Sequence, residues 1–332
     1  MSFAICVTSN KLKCCPWSIW ARPGCLCLLP RTTVMSSSDR CCVKVKNECR
    51  LCVQHVTLGF DLTIPRLGGD VCWMTGIGQD VRQYGGKTSR VVVLHGGPGG
   101  AGEIEPLARE LGKRGHSVLE PFKTRHSADG QVDELTAQIE AHCSPPVTLI
   151  GWSWGAWLGC LFSARYRTLV HNLILLGSGP FEARFASAIR TTKNSRLTNK
   201  QRSELNMLGA SEGNIKDVAR FIELSDLADT YARDSSSPPT VVFDGEIHAA
   251  VWREADEMRT NGSLLEAIAT IQCPVLAIHG DYDPRPSEGV QIPLLTALPW
   301  AKFVELERCG HKPWQEIHAK EEFYRLIDNA II

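Results

Sequence analysis

Residues 148–160 read TLIGWSWGAWLGC. The β-formers Val147–Ile150 lead into Gly151-Trp152-Ser153-Trp154-Gly155, and a helical pattern follows to Arg167. A G-x-S-x-G stretch between a strand and a helix describes a nucleophile elbow, in which so tight a turn strains the serine and lifts its Oγ above a sheet edge. Residues two places away on either side come close to the serine, and glycine there removes the Cβ that would clash. The N–H after the serine, on Trp154, opens the helix, where amide donors are unpaired and the dipole favours negative charge.

The same reading extends outward. Val91–Leu94 is a β-branched run ending in the glycine-rich turn HGGPGGAG, and Glu103–Arg114 has helical spacing that stops at Gly115. Ser117–Leu119 predicts a short strand, and Gln131–His142 a helix with Val132, Leu135 and Ile139 on one face. Leu173–Leu176, Pro274–Ile278 and Phe303–Leu306 predict strands, and Trp314–Ile327 a closing helix that buries Ile317, Phe323, Tyr324 and Ile327. Alternating strands and helices imply an α/β fold, a mostly parallel sheet covered on both faces. Between about Pro180 and Ala269 helical patterns follow one another, with caps expected at Thr198-x-x-Gln201 and Asn214-x-x-Asp217. The division expected is a core over 51–180 and 270–332, and a helical cap or lid over 181–269.

A serine hydroxyl needs a base, and in this arrangement acid and base follow the serine in the chain. Of ten histidines, His311 follows the strand FVEL in the loop RCGHKPW, which places it at the sheet edge beside the elbow. His279 would sit in the core or behind the site, His248 in the lid, His318 on the surface and His95 as a brace of the glycine loop. Asp281 and Asp283, in GDYDPRP after PVLAIH, both end a strand. Asp283 is preferred as the group that orients His311, being beyond the turn and stiffened by Pro284. Two oxyanion donors are expected, the N–H groups of Trp154 and Gly97. Trp152 and Trp314 are expected to line an apolar substrate site, and Trp157 to pack in the core.

Together HGGPG, GWSWG, GDYDP and CGHKPW resemble the α/β-hydrolase superfamily over roughly residues 70–330, and within it the prolyl iminopeptidase branch. The resemblance implies the α/β-hydrolase fold with a helical lid and a serine hydrolase, needing no cofactor or metal, whose triad is Ser153, Asp283 and His311. In that branch acidic lid residues hold a substrate amine, a role that would fall here to Glu246, Glu254 or Glu257. Two blocks depart from it: LEPFKTRHSADG stands where those peptidases carry D-Q-R-G, and Trp152 where they carry glycine. The substrate expected is therefore a small carboxylic ester or a short peptide or amide. Release of N-terminal proline and a non-catalytic binding protein are the alternatives, and lyase or haloperoxidase chemistry can use the same triad.

Composition sets outer bounds. The 332 residues are 43% hydrophobic and 22% charged, with 36 basic and 36 acidic side chains, which gives no basic stripe for nucleic acid. No apolar run is long enough to span a membrane. Nine of the fourteen cysteines fall within the first 52 residues, and the remainder are scattered singly, as suits buried thiols in a reducing cytoplasm. Residues 1–50 form a Cys-rich extension, read as a poorly ordered tail, as an addition before a start at Met35, or as a transit segment to an organelle matrix. A zinc site from Cys49, Cys52 and His55 with Cys41 or Cys42 has ligand-like spacing but no standard finger pattern. Oligomeric state leaves no mark in the sequence.

Overall fold

The computed structural model describes residues 80–209, 217–234 and 241–331, and the backbone of four short strands before them. These four belong to a unit of their own, Met1–Leu67, and pair as two antiparallel hairpins, Trp17–Arg22 with Cys25–Pro30 and Cys42–Val45 with Glu48–Leu51. The side chains of Cys41, Cys42, Cys49, Cys52 and His55, on which the zinc reading turns, lie outside the described residues, as does Asn214.

The second unit, Gly68–Ile332, is built on seven strands: β1 Val81–Tyr84, β2 Ser89–Leu94, β4 Val118–Pro121, β5 Cys143–Trp152, β6 Val170–Leu176, β8 Val275–Gly280 and β9 Lys302–Leu306. Their order is β9-β8-β6-β5-β2-β4-β1. Every neighbouring pair is parallel except the edge pair of β1 and β4. Because side chains alternate across a strand, each strand feeds two cores. Val92, Leu94, Leu149, Leu173 and Leu175 pack with helices α2 Ala128–His142 and α3 Trp154–Arg165. Val91, Val93, Ile150, Ile174 and Leu176 face the other way, toward α1 Glu105–Lys113 and α10 Lys320–Ala330.

Local chemistry sets the helix ends. Helix α1 carries Pro in its first turn and Lys113 in its last, and α2 begins where Ser127 Oγ accepts the Gly130 N–H. The expected closing helix divides. Pro313–Gln315 is a single 3₁₀ turn and α10 starts only at Lys320, so Ile317 is 57% exposed, whereas Phe323, Tyr324 and Ile327 are buried as expected. The break falls at Glu316, whose backbone is extended (φ −88°, ψ 119°) while its carboxylate accepts loop N–H groups.

Between 181 and 269, α4 Ala186–Arg196, α5 Asn199–Gly209, α6 Val218–Asp229, α7 Gly245–Asn261 and α8 Ser263–Ile268 follow one another, and α9 Glu288–Ala297 comes after β8. Thr198 and Gln201 form the expected reciprocal cap, while Asp217 itself caps α6 through the Arg220 N–H. Val251, Ala255, Leu264 and Ile268 belong to the same core as α3, so α7 and α8 are packed down on the body. Helix α4 has no fully buried residue, and neither has α5 among the residues described. One feature escapes any periodicity: the two-residue strand β7 Val242–Phe243 pairs antiparallel with β3 Gly100–Ala101 of the glycine loop.

Gly151 and Gly155 fix the join between β5 and α3. A Cβ on Gly155 would press into the Leu94 and His95 carbonyl oxygens, and one on Gly151 into the Gly155 carbonyl. Either Gly→Ala change should destabilise the protein by about 3 kcal/mol or more, the upper end for overpacking because the obstructing atoms are backbone. Urea unfolding of Gly155→Ala against the parent checks this.

Candidate active site

Ser153 sits between β5 and α3 with φ 55° and ψ −113°, one of two non-glycine residues with positive φ among those described. A backbone so placed costs on the order of 1–3 kcal/mol and survives only where surrounding packing dictates it. Its own N–H is tied to the Leu176 carbonyl at the end of β6 (3.0 Å). Trp154 is the first residue of α3, so its N–H belongs to the unpaired first turn.

His311 lies in the loop after β9, buried to 2% exposure. Its Nδ1 stands 2.6 Å from Asp283 Oδ2, and its ring leans 5.0 Å from the Trp152 ring. The Trp152 indole N–H donates to the His311 carbonyl (2.9 Å), and the His311 N–H donates to the carbonyl of Asp229 at the end of α6 (2.8 Å). Gly177, after β6, faces the pair; a Cβ there would lie 2.8 Å from His311 Nδ1 and 3.1 Å from Asp283 Oδ2.

Asp281 and Asp283 have separate tasks. Asp281 Oδ1 accepts the Cys309 N–H (3.0 Å) and shapes the loop, while Asp283 alone meets the histidine. Burial by itself would raise the Asp283 pKa, but the His311 and Arg285 charges overcome that and hold it well below the usual carboxylate range. Burial lowers the His311 pKa, Arg285 lowers it further, and Asp283 opposes both.

Ser153 and His311 share a cavity of about 300 Å³ with Trp152, Gly97 and Pro98. Val218, Phe221 and Ile222 of α6, with Phe243 and Trp252, give it an apolar wall. Its charged lining falls into two ion-paired groups, Glu103, Asp226 and Lys312, and Lys193, Asp229 and Arg285. These charges are compensated within the protein: Lys312 Nζ lies 2.7 Å from Asp226 and 3.2 Å from Glu103, and Lys193 Nζ 2.9 Å from Asp229.

Several expectations are met and some change. Trp157 is core, its indole N–H donating to the Gly179 carbonyl. Trp314 does not line the cavity; it stands edge-on behind Trp152 (ring centroids 5.3 Å) and packs on Phe323, because the 3₁₀ turn at Pro313 aims it at the sheet. His95 Nδ1 contacts the Gly96 carbonyl at 2.7 Å, and burial holds its pKa down to about 4. His279 is buried against the Arg285 carbonyl (2.8 Å), and His318 is exposed. His248 does border the cavity, with Nδ1–H donating to the Pro98 carbonyl (3.0 Å). Glu246, Glu254 and Glu257 do not line it, and Glu254 accepts the Ala128 N–H at the start of α2. The acidic side chains that do, Glu103, Asp226 and Asp229, sit in stretches with no motif, although Arg285 is inside GDYDPRP and only two places past Asp283.

With seven strands in this order and a strained serine at the end of β5, the comparisons with known proteins agree with the geometry. The sequence model of the Alpha/beta hydrolase family matches residues 91–326.

The chain belongs to the α/β hydrolase family.

Pimeloyl-[acyl-carrier protein] methyl ester esterase of Chromobacterium violaceum is 26% identical over 256 residues, covering 73% of this chain and 94% of that protein. The crystal structure of VinJ superposes with a TM-score of 0.55 at 18% identity, over 75% of this α/β hydrolase and 93% of that chain. Proline iminopeptidase of Mycobacterium smegmatis superposes with a TM-score of 0.50 at 19% identity, over 75% and 92%. No helix among the described residues is long and apolar enough to cross a membrane.

The histidine loop depends on one buried carboxylate. Glu316 accepts the N–H groups of Gly310 (2.9 Å), Tyr231 (3.0 Å) and Ala232 (2.7 Å). Glu316→Ala strands those donors, and at 1–3 kcal/mol for an unsatisfied buried group the loss should be at least about 3 kcal/mol. Glu316→Gln, which keeps one acceptor oxygen, should lose less; thermal unfolding of the two variants checks the order.

Proposed function

We propose that this α/β hydrolase is a serine hydrolase that cleaves a small carboxylic ester or amide through an acyl-serine intermediate. The observation that carries the reading is the strained Ser153 facing the same cavity as a histidine held 2.6 Å from a buried aspartate. With Asp283 accepting the His311 Nδ1–H, the imidazole is fixed in the tautomer whose Nε2 is free to act as a base. Ser153 Oγ attacks the substrate carbonyl carbon as Nε2 takes its proton. The N–H groups of Trp154 and Gly97 hold the resulting oxyanion, each donor worth about 3–4 kcal/mol. The tetrahedral species collapses, and His311 protonates the departing alcohol or amine. Water, deprotonated by His311, then attacks the acyl-serine and releases the acid.

The ester half of the reading is supported by the methyl ester esterase relative and by the apolar wall of α6 and Trp252. Release of N-terminal proline is less well supported, since the glutamates expected to hold an amine do not line the cavity and the acids that do, Glu103, Asp226 and Asp229, are paired with Lys312, Lys193 and Arg285. The division expected, a core over 51–180 and 270–332 and a cap over 181–269, is kept as part of this reading, and residues of α6 and α7 line the same cavity as the serine.

A fluorophosphonate probe should label the parent at Ser153 and leave Ser153→Ala unlabelled, and Ser153→Ala should lose activity on a p-nitrophenyl ester. A labelled Ser153→Ala protein would defeat the assignment, and an intact protein that never labels would favour a binding role. Asp283→Asn should lower kcat by about 10⁴. Because His311 is needed neutral and its pKa is depressed, kcat/KM should fall on acidification with a midpoint below the ordinary imidazole value of 6.5.

A further inference from the structure

The inserted helices reach the triad itself. Asp283 turns Oδ2 to His311, and its Oδ1 accepts the backbone N–H of Arg285 (2.9 Å) with the Arg285 guanidinium 3.4 Å away. The same Nη1 lies 2.9 Å from Asp229 Oδ1, an ion pair out of line with the N–H bond. Asp229 Oδ2 meets Lys193 Nζ of α4 at 2.9 Å, and the Asp229 carbonyl accepts the His311 N–H at 2.8 Å. A Cβ on Gly310 would press into that carbonyl, so the histidine loop and the end of α6 are in direct contact.

We propose that Arg285 and Asp229 are a positioning couple for the triad: Arg285 steadies the second oxygen of Asp283, and Asp229 steadies both Arg285 and the His311 backbone. The inserted region thereby sets the registry of base and acid as well as covering the site. This rests on the reading of Ser153, His311 and Asp283 given above.

Charges alternate along the chain of contacts, Lys193, Asp229, Arg285, Asp283, His311. The charged and titratable groups around His311 are Asp283 and Arg285 from its own side of the sheet edge, His279 from β8, Asp229 from α6 and Lys193 from α4. Lys312, the next residue, is turned to Glu103 and Asp226. The Arg285 cation opposes protonation of His311, whereas the Asp229 carboxylate favours it. Loss of the first should raise the histidine pKa and move the acid limb of the rate profile to higher pH. Loss of the second should move it to lower pH.

The experiment is the kcat/KM–pH profile of the full chain on a p-nitrophenyl ester, for the parent, Arg285→Gln, Arg285→Lys and Asp229→Asn, with circular dichroism to confirm folding. Arg285→Gln should displace the acid limb upward by about one pH unit, which lowers kcat/KM about tenfold at pH values below both limbs. Arg285→Lys keeps the charge and should bring the limb back toward the parent's, and Asp229→Asn should displace it downward. A merely structural pair would change melting temperature or maximal rate without opposite displacements. Coincident limbs, or limbs displaced in one direction, overturn the proposal; if Arg285→Gln does not fold, Asp229→Asn decides alone, a limb moved downward supporting the couple and an unmoved or raised one overturning it. Ser153→Ala run alongside separates the two failures. An inactive Ser153→Ala with unmoved limbs removes the couple and leaves the triad, whereas an active one removes both.

Discussion

Ser153 is held at positive φ because a strand and a helix meet there so closely that the residues two places away on either side have no room for a Cβ. Gly151 and Gly155 allow the approach, and the end of β2 closes against Gly155 from the other side. That single close packing places the glycine loop after β2, the first turn of α3 and the serine around one point. The loops after β6, β8 and β9 then arrive at the same edge because parallel strands all end there.

Much of this was legible beforehand because backbone geometry restricts sequence most where it is most strained. The elbow, the strands on either side of it, and the loops bearing Asp283 and His311 all carry glycine or proline signals. Asp283 was separable from Asp281 by its place beyond the turn, and the structure gives them different partners. Trp314 was less legible. Three residues past a catalytic-looking histidine it reads as a wall of the site, but a 3₁₀ turn rather than a helix follows His311 and rotates it into the core.

The charged wall was invisible in the sequence for a different reason. Asp229, Lys193 and Arg285 lie on three separate elements, and ion pairs between distant segments impose no spacing. Burying so many charges carries a desolvation cost, which is met here by pairing: Asp229 is held to a pKa of about 2 because Arg285 and Lys193 outweigh its burial. Such a wall gains less as stabilisation than as orientation, since Asp229 and Arg285 at its centre each meet two charged partners.

The short pairing of Val242–Phe243 with Gly100–Ala101 has a consequence for traffic. The Asp244 N–H also donates to the Gly99 carbonyl, and His248 to that of Pro98, so the rim of the cavity and the turn containing Gly97 are sewn into one ribbon. An incoming molecule cannot be let in by swinging that rim outward while the turn keeps its shape. On this side the mouth of the cavity and the turn that carries Gly97 are one piece of backbone, and parting the seam would displace both.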